Sequence, residues 1–294
     1  MVESKKINSL RPFLLTQLVK VFCSRKPTYI DTFRLPDICY EGSYRIDPLL
    51  LMRYQELLNT QDIPLLYPQL ASSPLLYAIL LDPQFPVRLP GIIHMGHMIR
   101  SVQKLKLDEP YQVSCRFGTS TASALGFEFE VWIRWEDGNH DLVWESCGRF
   151  LLRKPSAKRQ RSAKKHDQTA DLNGYEQQGS WQLRKDLGRR YAAISGDYNP
   201  IHLSPWTSRW FGFAQPIAHG LYSLAQLCSD LNLQLHQPLE IRAKFLAPLF
   251  LPSTAEVYTK ISDDGSTDAR VTTFGKGRLC LELAAKPSAS STST

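Results

Sequence analysis

Alternation of apolar and polar side chains is clearest between residues 239 and 261. Leu239, Ile241, Ala243 and Phe245 alternate with Glu240, Arg242 and Lys244, a period of two that predicts a half-buried strand. Ala255, Val257, Thr259 and Ile261 alternate with Glu256, Tyr258 and Lys260 in the same way. Asp263-Asp264-Gly265 then predicts a turn, because glycine takes positive φ without a side-chain clash. Strand-like runs follow at about residues 268–275 and 278–285. Ahead of them, Leu221, Leu224, Ala225, Cys228 and Leu231 recur at helical spacing from Gly220 onward. That run is apolar over more than one stripe, which predicts a buried helix. A buried helix followed by antiparallel strands predicts an α+β unit with a sheet wrapped around the helix.

The first half repeats the theme less cleanly. Residues 48–60 predict a helix with proline in its first turn, and residues 74–81 a second. Strands are predicted at about 91–102, 110–118, 126–136 and 141–153. Phe127, Phe129, Val131, Ile133 and Trp135 face one way, Glu128, Glu130 and Arg134 the other, and Asp137-Gly138 closes a hairpin. Two blocks of helix and strands predict duplicated domains, a repeat resting on pattern alone. The expected boundaries are a first domain at 1–153, a basic polar linker at 154–179, a second domain at 180–286 and a disordered tail at 287–294.

The linker assignment rests on composition. Residues 154–179 hold almost no large apolar side chains, too little buried surface to offset chain ordering. The same region changes the meaning of the net charge of +7, because residues 153–165 carry seven basic side chains and no acid. The remainder is near neutral, so a nucleic-acid partner is not expected, and no aromatic interleaving supports one. The six cysteines lie in apolar contexts without a CxxC pair, which predicts buried thiols in a reducing compartment. Residues 10–23 contain Arg11 and Lys20 and are too short to span a bilayer; they predict an amphipathic element, with no stable membrane insertion and a cytoplasmic location.

The chemistry is concentrated in residues 191–225. Ser195-Gly196-Asp197 ends a helical run, and Asn199-Pro200 forces a turn, since proline disfavours α geometry in the residue before it. Asp197 and His202 therefore share an irregular loop, where a carboxylate and an imidazole can face one cavity as a proton-transfer pair. Ile217-Ala218-His219-Gly220 then opens the long helix, whose first N–H groups lack internal partners and can stabilise an oxyanion. Each residue also has a plain structural reading: Asp197 as a turn cap, His202 as a satisfied core histidine, His219 as structural. His94 and His97 are three apart in a predicted strand, hence on opposite sides, so they are not expected to share a metal ion.

Ser195-Gly196-Asp197-Tyr198-Asn199-Pro200-Ile201-His202, followed by Phe213-Ala214-Gln215-Pro216-Ile217-Ala218-His219-Gly220, resembles the hydratase motif of the MaoC-like dehydratases, the (R)-specific enoyl-CoA hydratases. Residues 245–250 are similar to the strand and bend after that family's central helix. Residues 89–94 are loosely similar to the non-catalytic first half of its double-hot-dog members. The resemblance implies two hot-dog domains and a hydro-lyase interconverting a (3R)-3-hydroxyacyl and a trans-2-enoyl thioester. It implies that Asp197 and His202 hold the water. In hydration Asp197 is expected to take a proton from that water while His202 orients it and delivers a proton to C2, the sequence leaving open how the coupled pair divides the two protons. The Gly220 amide receives the thioester oxygen, with Ser195, Gly196, Asn199, Pro216 and His219 as motif support. A serine that some relatives carry five positions after this glycine is here Ala225, so that hydroxyl is absent or moved to Ser223. No cofactor or metal is implied; the substrate thiol is coenzyme A or acyl carrier protein, and the chain is a monomeric double hot dog or a homodimer. The first domain is expected to pack the acyl chain and complete a pseudo-dimer. The competing expectations are a hot-dog thioesterase and a non-catalytic acyl-thioester-binding protein.

Overall fold

The computed structural model describes residues 3–7, 24–155, 169–233, 235 and 238–287. The amphipathic element expected at 10–23, most of the basic run and nearly all of the tail lie outside the described residues. In chain order the elements are β1 (Glu3–Lys6), β2 (Ile38–Arg45), α1 (Pro48–Leu58), α2 (Tyr67–Ala71), α3 (Ser73–Leu81), β3 (Ile92–Ser101), β4 (Pro110–Ser123), β5 (Gly126–Glu136) and β6 (Leu142–Arg153). They continue with β7 (Glu176–Leu183), α4 (Leu187–Ser195), a 3₁₀ turn (Pro200–His202), α5 (Pro205–Arg209), α6 (Gly220–Asp230), β8 (Leu239–Phe245), β9 (Ser253–Ile261), β10 (Thr267–Thr273) and β11 (Leu279–Pro287). Two compact units result. The first comprises Met1–Ile46, Pro68–Met98 and Lys106–His166; the second comprises Asp47–Tyr67, Ile99–Leu105 and Asp167–Thr294.

In the first unit β2, β4, β5 and β6 pair antiparallel in that order, and β1 adds to β2 in parallel. The alternation in β5 buries Phe129, Val131, Ile133 and Trp135. Helix α3 lies against β2 and β4. Two polar pins fix the helical side to the sheet: Trp135 Nε1 donates to Ser72 Oγ at 2.7 Å, and Ser146 Oγ donates to Gln69 Oε1 at 2.8 Å. All four residues are buried, so each pin satisfies groups that would otherwise be costly to desolvate.

In the second unit β8, β11, β10, β9 and β7 form an antiparallel run in that order, with α6 packed on β11. Leu224, Ala225, Leu227 and Cys228 are fully buried, as the helix's broad apolar surface requires. One stripe faces the sheet and the rest needs another cover, which α1 supplies. Helix α1 starts at Pro48 behind Asp47, whose carboxylate accepts from the amides of Leu49 and Leu50. Its buried stripe of Leu51, Tyr54, Leu57 and Leu58 packs with α4 and α6. Read from sequence as part of the first domain, this helix is therefore part of the second unit.

Three further readings change. Strand β7 begins at Glu176, inside the stretch read as linker, and Thr169 bridges to Arg278. β7 is an edge strand with only Trp181 and Leu183 buried, so its polar composition reflects solvent on most sides. Ile261 closes the alternating run of β9 yet is 74% exposed, because the strand ends there. His94 and His97 do meet: His97 Nδ1 lies 3.3 Å from His94 Nε2. Burial along β3 loses strict alternation between them, so the opposite-face argument fails. The five described cysteines are free and buried, as their apolar contexts predict.

Candidate active site

Helix α4 delivers the loop that carries the chemistry. It ends at Gly196, whose φ of 74° and ψ of 1° form a left-handed cap that glycine adopts at little cost. Ser195 is buried; its hydroxyl donates to Tyr191 O and accepts from the Asp197 amide. Asp197 Oδ1 accepts from the Asn199 amide, and Asn199 Oδ1 accepts from the Ile201 amide. Two successive side-chain turns thus fold residues 197–202, and Ile217 N donates to Ile201 O at 3.1 Å to tie them to the second half of the motif. The turn-cap role of Asp197 occupies one carboxylate oxygen, Oδ1, while Oδ2 faces His219 Nε2 at 3.8 Å.

The 3₁₀ turn seats His202 on α4 through a backbone contact. A Cβ added at Gly188 would stand 1.9 Å from the His202 carbonyl oxygen, so only glycine permits the approach. The His202 ring is buried, and its Nδ1 lies 2.8 Å from Ile217 O. A carbonyl can only accept, so Nδ1 carries the hydrogen and Nε2 the lone pair. Burial pulls the His202 pKa below its ordinary 6.5, an effect partly opposed by Asp197 and the Ile217 bond. The neutral ring is therefore a base at Nε2 around pH 7.

The second half of the motif arrives through a strand-like segment. Ile217 bridges Phe250, Ala218 N donates to Leu249 O, and Leu251 N donates to the carbonyl of buried Pro216. Helix α6 then starts at Gly220, where an added Cβ would press on the Phe245 ring at 3.1 Å. Its first N–H groups have no acceptor within the helix. Ser223 is buried and its hydroxyl donates to His219 O at 3.2 Å, which turns it toward the helix's own first turn. Ala225 is buried core.

His219, read as structural from sequence, is brought into the cluster. Its ring stacks on His202 with centroids 3.6 Å apart and 26° between planes, and Tyr191 lies on it at 4.7 Å. Its Nε2 is 3.0 Å from Asp197 O. Burial and the adjoining His202 push its pKa down to about 3, so it is neutral near pH 7 and its approach to Asp197 Oδ2 is no ion pair there. One ligand-type atom from each of Asp197, His202 and His219 lies within 4.8 Å of the other two, the one such group of three among the described residues. The hydrogen bonds suit this trio poorly to a shared metal ion. They commit His202 Nδ1 and His219 Nε2 to carbonyls, and the two remaining lone pairs lie in nearly parallel ring planes instead of converging. Gly188 and the stacking by His219 are what the sequence reading missed. A glycine near the start of a helix that precedes the motif was the only signal for the first.

A separate groove of about 520 Å³ runs between β7 and α6, lined by Trp181, Tyr222, Gln226 and Asp230 among others, and includes neither Asp197 nor His202. No helix among the described residues is long and apolar enough to cross a membrane.

The chain is similar to known proteins in sequence and in fold. Residues 163–278 match the MaoC like domain. The chain is 25% identical over 285 residues to 3-hydroxyacyl-thioester dehydratase X of Mycobacterium tuberculosis, a hydro-lyase, covering 91% of this chain and 95% of that one. The crystal structure of HtdX of M. tuberculosis superposes with a TM-score of 0.71 at 23% identity, covering 84% of this chain and all of that one. A MaoC-like dehydratase from Phytophthora capsici superposes with a TM-score of 0.66 at 17% identity, covering 86% and 96% of the two chains. The fold is thus the α+β double hot dog expected from the motif.

Proposed function

We propose, from the premise that this chain belongs to the MaoC-like dehydratase family, that it interconverts (3R)-3-hydroxyacyl and trans-2-enoyl thioesters of coenzyme A or acyl carrier protein. The observation that carries the proposal is the His202 hydrogen bond to Ile217 O, which leaves a neutral Nε2 lone pair on a ring that clusters with the Asp197 carboxylate and stacks on His219, the residue before the α6 start.

In the dehydration direction His202 Nε2 takes the proton from C2. The electron pair moves into the thioester carbonyl, and its developing charge rests on the Gly220 N–H. The C2–C3 double bond forms as the C3–O bond breaks. The departing oxygen takes the proton from the His202 imidazolium and leaves as water. Asp197 holds that hydroxyl and offsets the transient imidazolium charge. Hydration runs through the same steps in reverse. Against the motif's simplest assignment, in which Asp197 is the base toward water, the hydrogen bonds favour His202 as the main carrier of the proton. The two groups are coupled, so measured pKa values belong to the pair.

The test is purified protein with enoyl thioesters of graded chain length on coenzyme A and on acyl carrier protein, following absorbance of the conjugated double bond. Loss of that absorbance with the thioester intact is the expected result. Release of free thiol instead identifies a thioesterase, and binding without turnover identifies a non-catalytic acyl-binding protein; either outcome ends the proposal.

A further inference from the structure

Resting on that reading, we infer that His219 is a positioning residue whose ring holds the Asp197 loop, the His202 imidazole and the Gly220 amide in one register. Three parts of the site come from separate stretches of chain, and His219 touches each differently. It precedes Gly220 directly, so its backbone leads into the oxyanion amide. Its Nε2 reaches back 22 residues to the Asp197 carbonyl at 3.0 Å. Its face lies on the His202 ring at 3.6 Å, with Tyr191 packed at 4.7 Å.

The local chemistry argues that the ring is there for these contacts. His219 occupies the N-cap position of α6, with φ −66° and ψ 135°, where Ser, Thr, Asp or Asn ordinarily accepts from the helix; its side chain makes no such bond. The carbonyl it meets can only accept, so Nε2 carries the hydrogen and Nδ1 the lone pair. That Nδ1 is buried with no hydrogen-bond partner. An unsatisfied buried polar atom is a standing cost that an apolar side chain of the same shape would not incur. What an apolar ring cannot do is donate to Asp197 O. A displacement of about 1 Å in a reacting group is enough to cost on the order of 10²-fold in rate, so a tie of this kind matters to turnover.

His219→Phe keeps the ring faces and removes the donor; His219→Gln keeps an N–H at similar reach and removes the faces. The expected result is a fall in kcat of roughly 10–100-fold for His219→Phe, KM changing by less than about threefold. Partial rescue is expected in His219→Gln, with the limbs of the pH–rate profile in place for both. The groups facing the ring are Asp197, His202 and Tyr191, and none is altered in either variant. Full turnover in His219→Phe overturns the inference. So does loss of one limb, which makes His219 a proton-transfer group, or a fall in thermal stability with unchanged turnover of the folded enzyme, which makes it merely structural. A readout independent of activity separates this from failure of the dehydratase reading. Histidine ¹⁵N NMR of the full chain should show His219 neutral with its proton on Nε2 through pH 6–8, and a shifted His202 ring in His219→Phe. A His219 that titrates near 6.5 or carries its proton on Nδ1 overturns the inference whatever the substrate.

Discussion

Each compact unit holds a pair of histidines in ring contact, half-buried His94 with buried His97 and buried His202 with buried His219, and the two pairs differ in how their hydrogens are spent. In the first unit His94 and His97 meet edge-on, centroids 5.3 Å apart and planes at 76°, with a nitrogen of one bonded to a nitrogen of the other. Such a bond consumes one imidazole's lone pair on the other's hydrogen. In the second unit His202 and His219 stack, and each donates to a main-chain carbonyl. Two lone pairs therefore survive, one of them on the ring beside Asp197. Burial lowers the pKa of His97 as it does those of His202 and His219. Desolvation alone thus does not make a site; main-chain acceptors and a carboxylate do.

The largest effect should come from breaking the second pair and not the first. Asp197→Asn and His202→Ala are expected to lower kcat by about 10²–10⁴, with circular dichroism and melting near those of the parent. His97→Leu should leave turnover within a few-fold, and near-full turnover in either of the first two variants would undo the comparison. Gly188→Ala is expected next, since its methyl would collide with the His202 carbonyl. A loss of about 1–3 kcal/mol in a urea titration, together with reduced kcat, is the predicted outcome, because the turn bearing His202 must shift to make room.

Acid should act on both pairs. His97, His202 and His219 are held neutral in the fold but protonate near 6.5 once the chain unfolds. The unfolded state then binds more protons below that pH, so stability falls on acidification from about 6.5 toward the folded values, near 3 for His219. Each such group contributes a slope of up to about 1.4 kcal/mol per pH unit. Melting temperature measured from pH 7 to 4 should decline, and His219→Phe should flatten the decline by one proton's share. The smallest expected effect is that of a chelator: turnover after exhaustive EDTA treatment should match the untreated protein, and metal-dependent recovery would mean that the trio converges on an ion after all.

Much of this was legible in the residues. Period two in β5, β8 and β9 and the broad apolar helix α6 announced themselves because burial on one face imposes them. Asp197 and His202 were legible because a short loop with two turn-forming side chains has few ways to fold. The assignment of α1 to the second unit was not, since an amphipathic helix advertises the need for a partner without naming it. Strand β7 hid because an edge strand with solvent on most sides has the composition of a linker. His219 hid for a related reason: nothing local distinguishes a histidine that caps its own helix from one that reaches back 22 residues.

Where the carbonyl of His202 rests on Gly188, two stretches of chain have become one transferable object. Neither the helix nor the turn can be altered alone at that seam. An engineer grafting the loop onto another scaffold would have to carry the glycine, fourteen positions upstream, along with it. A graft of the recognisable motif without that hydrogen-sized side chain would reproduce the letters and misplace the base.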